Sequence, residues 1–281
     1  MPGKFAVPDV LPTPGKKRSR ITPKASQLTF NDIAPVPAPP HVADCLGGRC
    51  ECWIAIDVET HILVPPPNDP ERKFFFAGQF GFEATVGDDQ LSLMRVVQVG
   101  WTVGGPRAAH PTTSERLVRP NGFCIADSAT EKHGITQAMA IESGQSLETV
   151  LGDLVTEICN HCAKGARLVS HHLEFDAGMI AKELGNAGLE HLQAPWDEAA
   201  RRGACTMQPC IGNWVRDMVG ILDVPWFIPM KLSALFEAMV PHRRELLQKH
   251  HTAGCDSLMR WFVCQALVQR VNAQRLCIPS A

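Results

Sequence analysis

Tyrosine is absent from all 281 residues, and aromatic side chains of any kind make up only 6% of them. No N-terminal apolar stretch resembles a signal peptide, and no apolar run is long enough to cross a membrane. The expectation is an intracellular protein with reduced thiols and no membrane partner. A strong excess of basic residues is also missing, since the formal net charge is −2. That does not exclude nucleic acid as a partner, because carboxylates holding divalent cations place positive charge where a phosphate sits. The 11 cysteines include Cys159 and Cys162 in "CNHC" and a group, Cys45, Cys50 and Cys52, just before the first expected strand. No second pair at ribbon or finger spacing completes a set of four, so packing thiols are favoured over a zinc-binding adaptor. There is no internal repeat.

What is present points to one α/β domain. A 45% apolar content is ample for a core. Nine of the 22 prolines fall within residues 1–40, and residues 1–24 carry six Lys and Arg against Asp9 alone. Residues 1–47 are therefore expected to be a disordered tail, and its "KKRSR" at 16–20 reads as a nuclear import signal or a loose phosphate-binding arm. The domain is expected over 48–275, with a short tail at 276–281. An insertion at about 61–90 contains "PPP" and five phenylalanines at 74, 75, 76, 80 and 82. These rings are either a small satellite core or a platform on which bases stack.

Strands are expected at 52–59, 93–103, 115–120 and 167–170, the second and third β-branched and bounded by Gly and Pro. Helical spacing runs from Leu147 to the stop at Gly165, then through Phe175, Met179, Ile180 and Leu184, and finally through Leu258, Phe262, Leu267 and Val271. The first strand, "WIAIDVET" at 53–60, is apolar on both faces, as a central strand would be, yet it ends in two carboxylates. Side chains alternate along a strand, so Asp57 and Glu59 share one face at about 6.6 Å spacing. Buried like charges at that distance require a cation.

Two further carboxylates are candidates to complete a site. Asp176 in "SHHLEFDAGMI" follows a strand, and Asp256 in "HHTAGCDSLM" opens the last helix five residues after His251. Singly, each reads equally well as an ordinary helix-start residue. As an ordered set, Asp57-x-Glu59, Phe175-Asp176 after His171, and His251-x4-Asp256 resemble the three motifs of the DEDDh branch of the DnaQ-like 3′ to 5′ exonucleases. "EKHGIT" at 131–136 and Lys231-Leu232-Ser233 followed by Leu235 also resemble stretches of that family. A sister branch uses tyrosine in place of the histidine, and the missing tyrosine excludes it.

The resemblance implies an RNase H-like fold, a mixed and mainly five-stranded sheet flanked by helices. It implies two divalent metal ions, Mg²⁺ with Mn²⁺ as substitute, held by Asp57, Glu59, Asp176 and Asp256, with His251 as general base. The implied partner is nucleic acid with a free 3′ end, DNA or RNA, shortened with release of nucleoside 5′-monophosphates. Thr60, His172 and His133 are the candidate substrate contacts. For His172 packing is the alternative reading, and for His133 stabilisation of a turn. The family's usual turn after the first motif is replaced here by His61 and the insertion. The competing function is a non-catalytic nucleic-acid-binding module on the same fold.

Overall fold

The computed structural model describes residue 50 and residues 52–63, 93–105, 107–108, 110–221 and 228–276. The expected tail at 1–47, nearly all of the insertion at 61–90 and residues 277–281 lie outside the described residues. Five strands form one sheet in the order β3-β2-β1-β4-β5. They are β1 (Trp53–Thr60), β2 (Val96–Gly104), β3 (Thr112–Leu117), β4 (Arg167–Ser170) and β5 (Ala204–Cys205). The β1–β2 and β2–β3 pairs are antiparallel, whereas β1–β4 and β4–β5 are parallel. The helices are α1 (Asp127–His133), α2 (Gln137–Ser143), α3 (Leu147–Ala163), α4 (Leu173–Asn186), α5 (Gln193–Arg201), α6 (Pro209–Val219), α7 (Leu232–Met239) and α8 (Ala253–Leu276). No described helix is long and apolar enough to cross a membrane.

The alternation in β1 assigns its two faces. Ile54, Ile56 and Val58 pack with Leu151, Leu154, Ile180 and Trp196 of α3, α4 and α5. Trp53 and Ala55 pack on the other side, with Trp214, Phe236, Met259 and Trp261 of α6, α7 and α8. Covering both faces explains why β1 reads as a continuous apolar run. Asp57 and Glu59 continue the Trp53–Ala55 series, and so belong to the face that α8 covers.

The N-terminus of α8 is fastened to the sheet by side chains from two strands. Gln98 Oε1 of β2 accepts the Ala253 amide at 2.8 Å, and Glu115 Oε2 of β3 accepts the Gly254 amide at 2.8 Å. Helix-start amides otherwise lack partners, so these two contacts fix where the helix begins. Gly100 makes the approach possible: a Cβ there would lie 2.1 Å from the Ala253 carbonyl carbon and oxygen. Gly100→Ala is therefore expected to force α8 off β2. Overpacking of this kind typically costs about 1–3 kcal/mol. A lowered melting temperature, with loss of any activity that needs Asp256, is the readout, and an unchanged melting temperature would contradict it.

Candidate active site

β4 pairs with β1 only from Trp53 to Ala55. Beyond that point the backbone of β1 has no strand neighbour on this side, and side chains take over its polar groups. Asp176, in the first turn of α4, accepts the Val58 amide on Oδ1 at 3.3 Å. Arg260 of α8 donates from Nη1 to the Ile56 carbonyl oxygen. A gap at the carboxyl ends of strands is where open α/β sheets bind ligands.

The candidate residues meet there. Asp57, Glu59 and Asp256 each offer a carboxylate oxygen, and the three oxygens lie within 4.8 Å of one another, which suits one divalent cation. Asp57 is buried, and its Oδ2 has no hydrogen-bond partner. A buried carboxylate oxygen left without a donor marks a place for a cation. Asp57 Oδ1 is ion-paired with Arg260 Nη2. Asp176 is more fully engaged, because its Oδ2 accepts from the Ser170 hydroxyl and, at 2.9 Å, from Arg260 Nη1.

Burial dominates the electrostatics. It raises Asp57 well above the ordinary carboxylate range, against the opposing pull of Arg260 and with added repulsion from Asp176, Glu59 and Asp256. Glu59 is pushed up to about 8, first by burial and then by Asp256. Asp176 and Asp256 are raised by burial too, although Arg260 and hydrogen bonds from neighbouring donors hold them back. Without a further cation the cluster prefers to keep protons, which is the physical condition for divalent-metal binding.

His251 stands two residues before the start of α8 with φ at +73°, the one positive value outside glycine among the described residues. That turn directs its amide to Asp256 Oδ1 at 3.1 Å. Its ring packs edge-on against His250, with centroids 3.7 Å apart. Burial, together with Lys132 and His250, lowers its pKa to about 4, so the ring is neutral at pH 7 and able to accept a proton. A cleft of about 570 Å³ lies alongside, lined by Lys132, Met230, Lys231, His250, His251 and Asp256 among others. That volume is in the range of small-ligand sites.

No protein-family model and no curated protein sequence matches the chain. Solved structures do. E. coli exonuclease I in complex with a dA16 oligonucleotide superposes with a TM-score of 0.55 at 11% identity, over 80% of this chain and 42% of that one. The zinc-bound form of E. coli exonuclease I with single-stranded DNA gives 0.54 at 12%, over 79% of this chain and 42% of that one. A moderately thermophilic exonuclease I from Methylocaldum szegediense gives 0.50 at 17%, over 80% and 42%. The chain shares the fold of these exonuclease I structures. It spans less than half the length of those proteins, and at these identities the likeness establishes the fold alone.

Asp57, Glu59, Asp176, Asp256 and His251 gather around one end of β1. The other expected residues are placed differently. His133 is buried at the end of α1, its Nε2 donating to the Thr60 carbonyl at 3.2 Å and its Nδ1 accepting the Ile135 amide at 3.0 Å. Both ring nitrogens are committed to the fold, which suits its turn-stabilising reading rather than substrate contact. The Thr60 hydroxyl is likewise committed, donating to the Ile62 carbonyl at 2.7 Å. His172 stacks on Phe175 with rings 5.6 Å apart and almost parallel. His171, buried, bridges Thr206 and the Met230 carbonyl, and burial lowers it to about 3. No disulfide forms among the nine described cysteines, and among the described residues the only metal-sized group is the carboxylate one.

Sequence reasoning missed Arg260. The signal was available: it lies four residues after Asp256, on the same helix face, beside carboxylates already known to need a cation.

Proposed function

We propose that this chain is a metal-dependent 3′ to 5′ exonuclease that hydrolyses phosphodiester bonds and releases nucleoside 5′-monophosphates. The observation carrying this reading is the convergence of Asp57, Glu59 and Asp256 within 4.8 Å beside the cleft, with a buried Asp57 oxygen lacking a donor. A divalent ion held by these three would supply an acidified water and charge stabilisation at phosphorus. The chain's own groups do the rest. His251, neutral at pH 7, takes the proton from the attacking water. Lys132 and Lys231, which line the cleft, attract and orient the phosphate backbone. Asp176 holds Arg260 and the β1 backbone in place, so that the carboxylates keep their separation.

The test uses end-labelled DNA and RNA oligonucleotides of matched sequence, incubated with Mg²⁺ or Mn²⁺. A 5′ label should yield a ladder that shortens with time, and a 3′ label should appear at once as mononucleotide. Chelation should stop both. Early release of a 5′-terminal mononucleotide would contradict the polarity. Retention of oligonucleotide without cleavage in either metal would favour the non-catalytic binding module.

A further inference from the structure

The resemblance implies two divalent ions among four carboxylates, but the structure already contains a cation between two of them. The Arg260 guanidinium is ion-paired through Nη2 to Asp57 Oδ1 and through Nη1 to Asp176 Oδ2. It is 7% exposed, and Nη1 also donates to the Ile56 carbonyl and, at 2.9 Å, to the Ser170 hydroxyl. A planar fork with several donors suits the bridging of two carboxylates, and its charge cannot be lost by deprotonation.

Asp176 is correspondingly saturated. Its Oδ1 accepts the Val58 amide and its Oδ2 accepts both Ser170 and Arg260. An ion shared by Asp57 and Asp176 would have to displace a buried guanidinium whose contacts are to backbone and to α4. Asp57 keeps one oxygen, Oδ2, without a partner, and the residue lies within ion-binding distance of Glu59 and Asp256.

We propose that Arg260 stands in for the second divalent ion, so that this chain binds one ion, on Asp57, Glu59 and Asp256. Arg260 is then a positioning residue. It neutralises Asp57 and Asp176 at any metal concentration and fixes Asp57 Oδ1, leaving Oδ2 for the ion. This inference rests on the proposed metal-dependent nuclease site, but it is read without nucleic acid. A chain that binds one ion and cleaves nothing would therefore retain it while losing the activity.

The experiment counts bound Mn²⁺ on the purified full chain, by calorimetric titration and by the loss of free-ion paramagnetic signal. Wild type should bind one ion per chain. Arg260→Lys should also bind one, because the fixed charge remains. Arg260→Met should bind two, since Asp57 and Asp176 are then left facing each other uncompensated. Asp176→Asn should keep the single ion, while Glu59→Gln should lose it. Two ions on wild type, or none, would overturn the proposal. So would a single ion on a folded Arg260→Met. If Arg260→Met does not fold, Asp176→Asn decides: an unchanged count of one supports the proposal, and a lost ion sinks it.

Discussion

Glu59→Gln is expected to cut hydrolysis by about 10³-fold or more, in line with the several kcal/mol of charge stabilisation a catalytic ion supplies. The same change should stabilise the metal-free protein at alkaline pH. The sign follows from the direction of its shift: Glu59 rises from 4.5 to about 8 on folding, so between those values the folded chain keeps a proton that the unfolded chain has released. Stability attributable to this group is therefore lost as pH rises from 4.5 to 8, and glutamine, which cannot ionise, removes the loss. Melting curves of chelated wild type and Glu59→Gln across this range should diverge as pH increases. A saturating divalent ion should restore the wild type at the alkaline end and do much less for the variant. Asp57→Ala and Asp256→Ala should abolish hydrolysis in the same way. Near-wild-type turnover in any of the three would remove that residue from the ion site.

His171 supplies the opposite limb. Its pKa falls from 6.5 to about 3 on folding, so the unfolded chain binds the extra proton and stability declines as pH drops through that interval. The two groups oppose each other from 4.5 to 6.5. Above 6.5 the His171 contribution is complete while the Glu59 loss continues, so the alkaline side is where chelation shows most clearly.

The parts of this molecule that could be read from sequence are those in which one physical pattern dominates. β1 was visible because both of its faces are buried, and α3, α4 and α8 because apolar residues recur at helical spacing. β4 was found at its observed bounds, whereas β3 begins three residues before the expected 115, in polar threonines on a strand paired only with β2. α5, β5 and α6 have no counterpart among the expected elements, because short amphipathic helices joined by a two-residue strand give little periodic signal. The carboxylates of the site could be named because like charge at the end of a buried strand has few explanations. What answered that charge could not. A guanidinium arriving from 204 residues away is a tertiary event, and only its spacing from Asp256 hinted at it. For Thr60 and His133 the sequence does not show which partners their polar atoms take, and those partners lie in the fold itself.

His251→Ala and His251→Gly are expected to reduce turnover equally, by about 10²–10⁴-fold, the range for positioned proton transfer. In stability the two should differ. The residue sits at φ +73°, where an L side chain with a Cβ is disfavoured and glycine is not. The glycine variant should therefore be more stable than the alanine variant by about 1 kcal/mol, despite glycine's greater freedom when unfolded. Strain of this kind persists only where the surroundings hold it, and here the turn serves the site: it directs the His251 amide to Asp256 and brings the ring to the cleft wall. Both variants keep the amide, so Mn²⁺ binding on Asp57, Glu59 and Asp256 should survive in each. Their residual rate should climb with pH further into the alkaline range than that of wild type, as hydroxide replaces the missing base. A side chain that merely packed beside α8 would behave otherwise, with a lowered melting temperature and an unchanged rate per folded molecule. That outcome in both variants would end the general-base assignment.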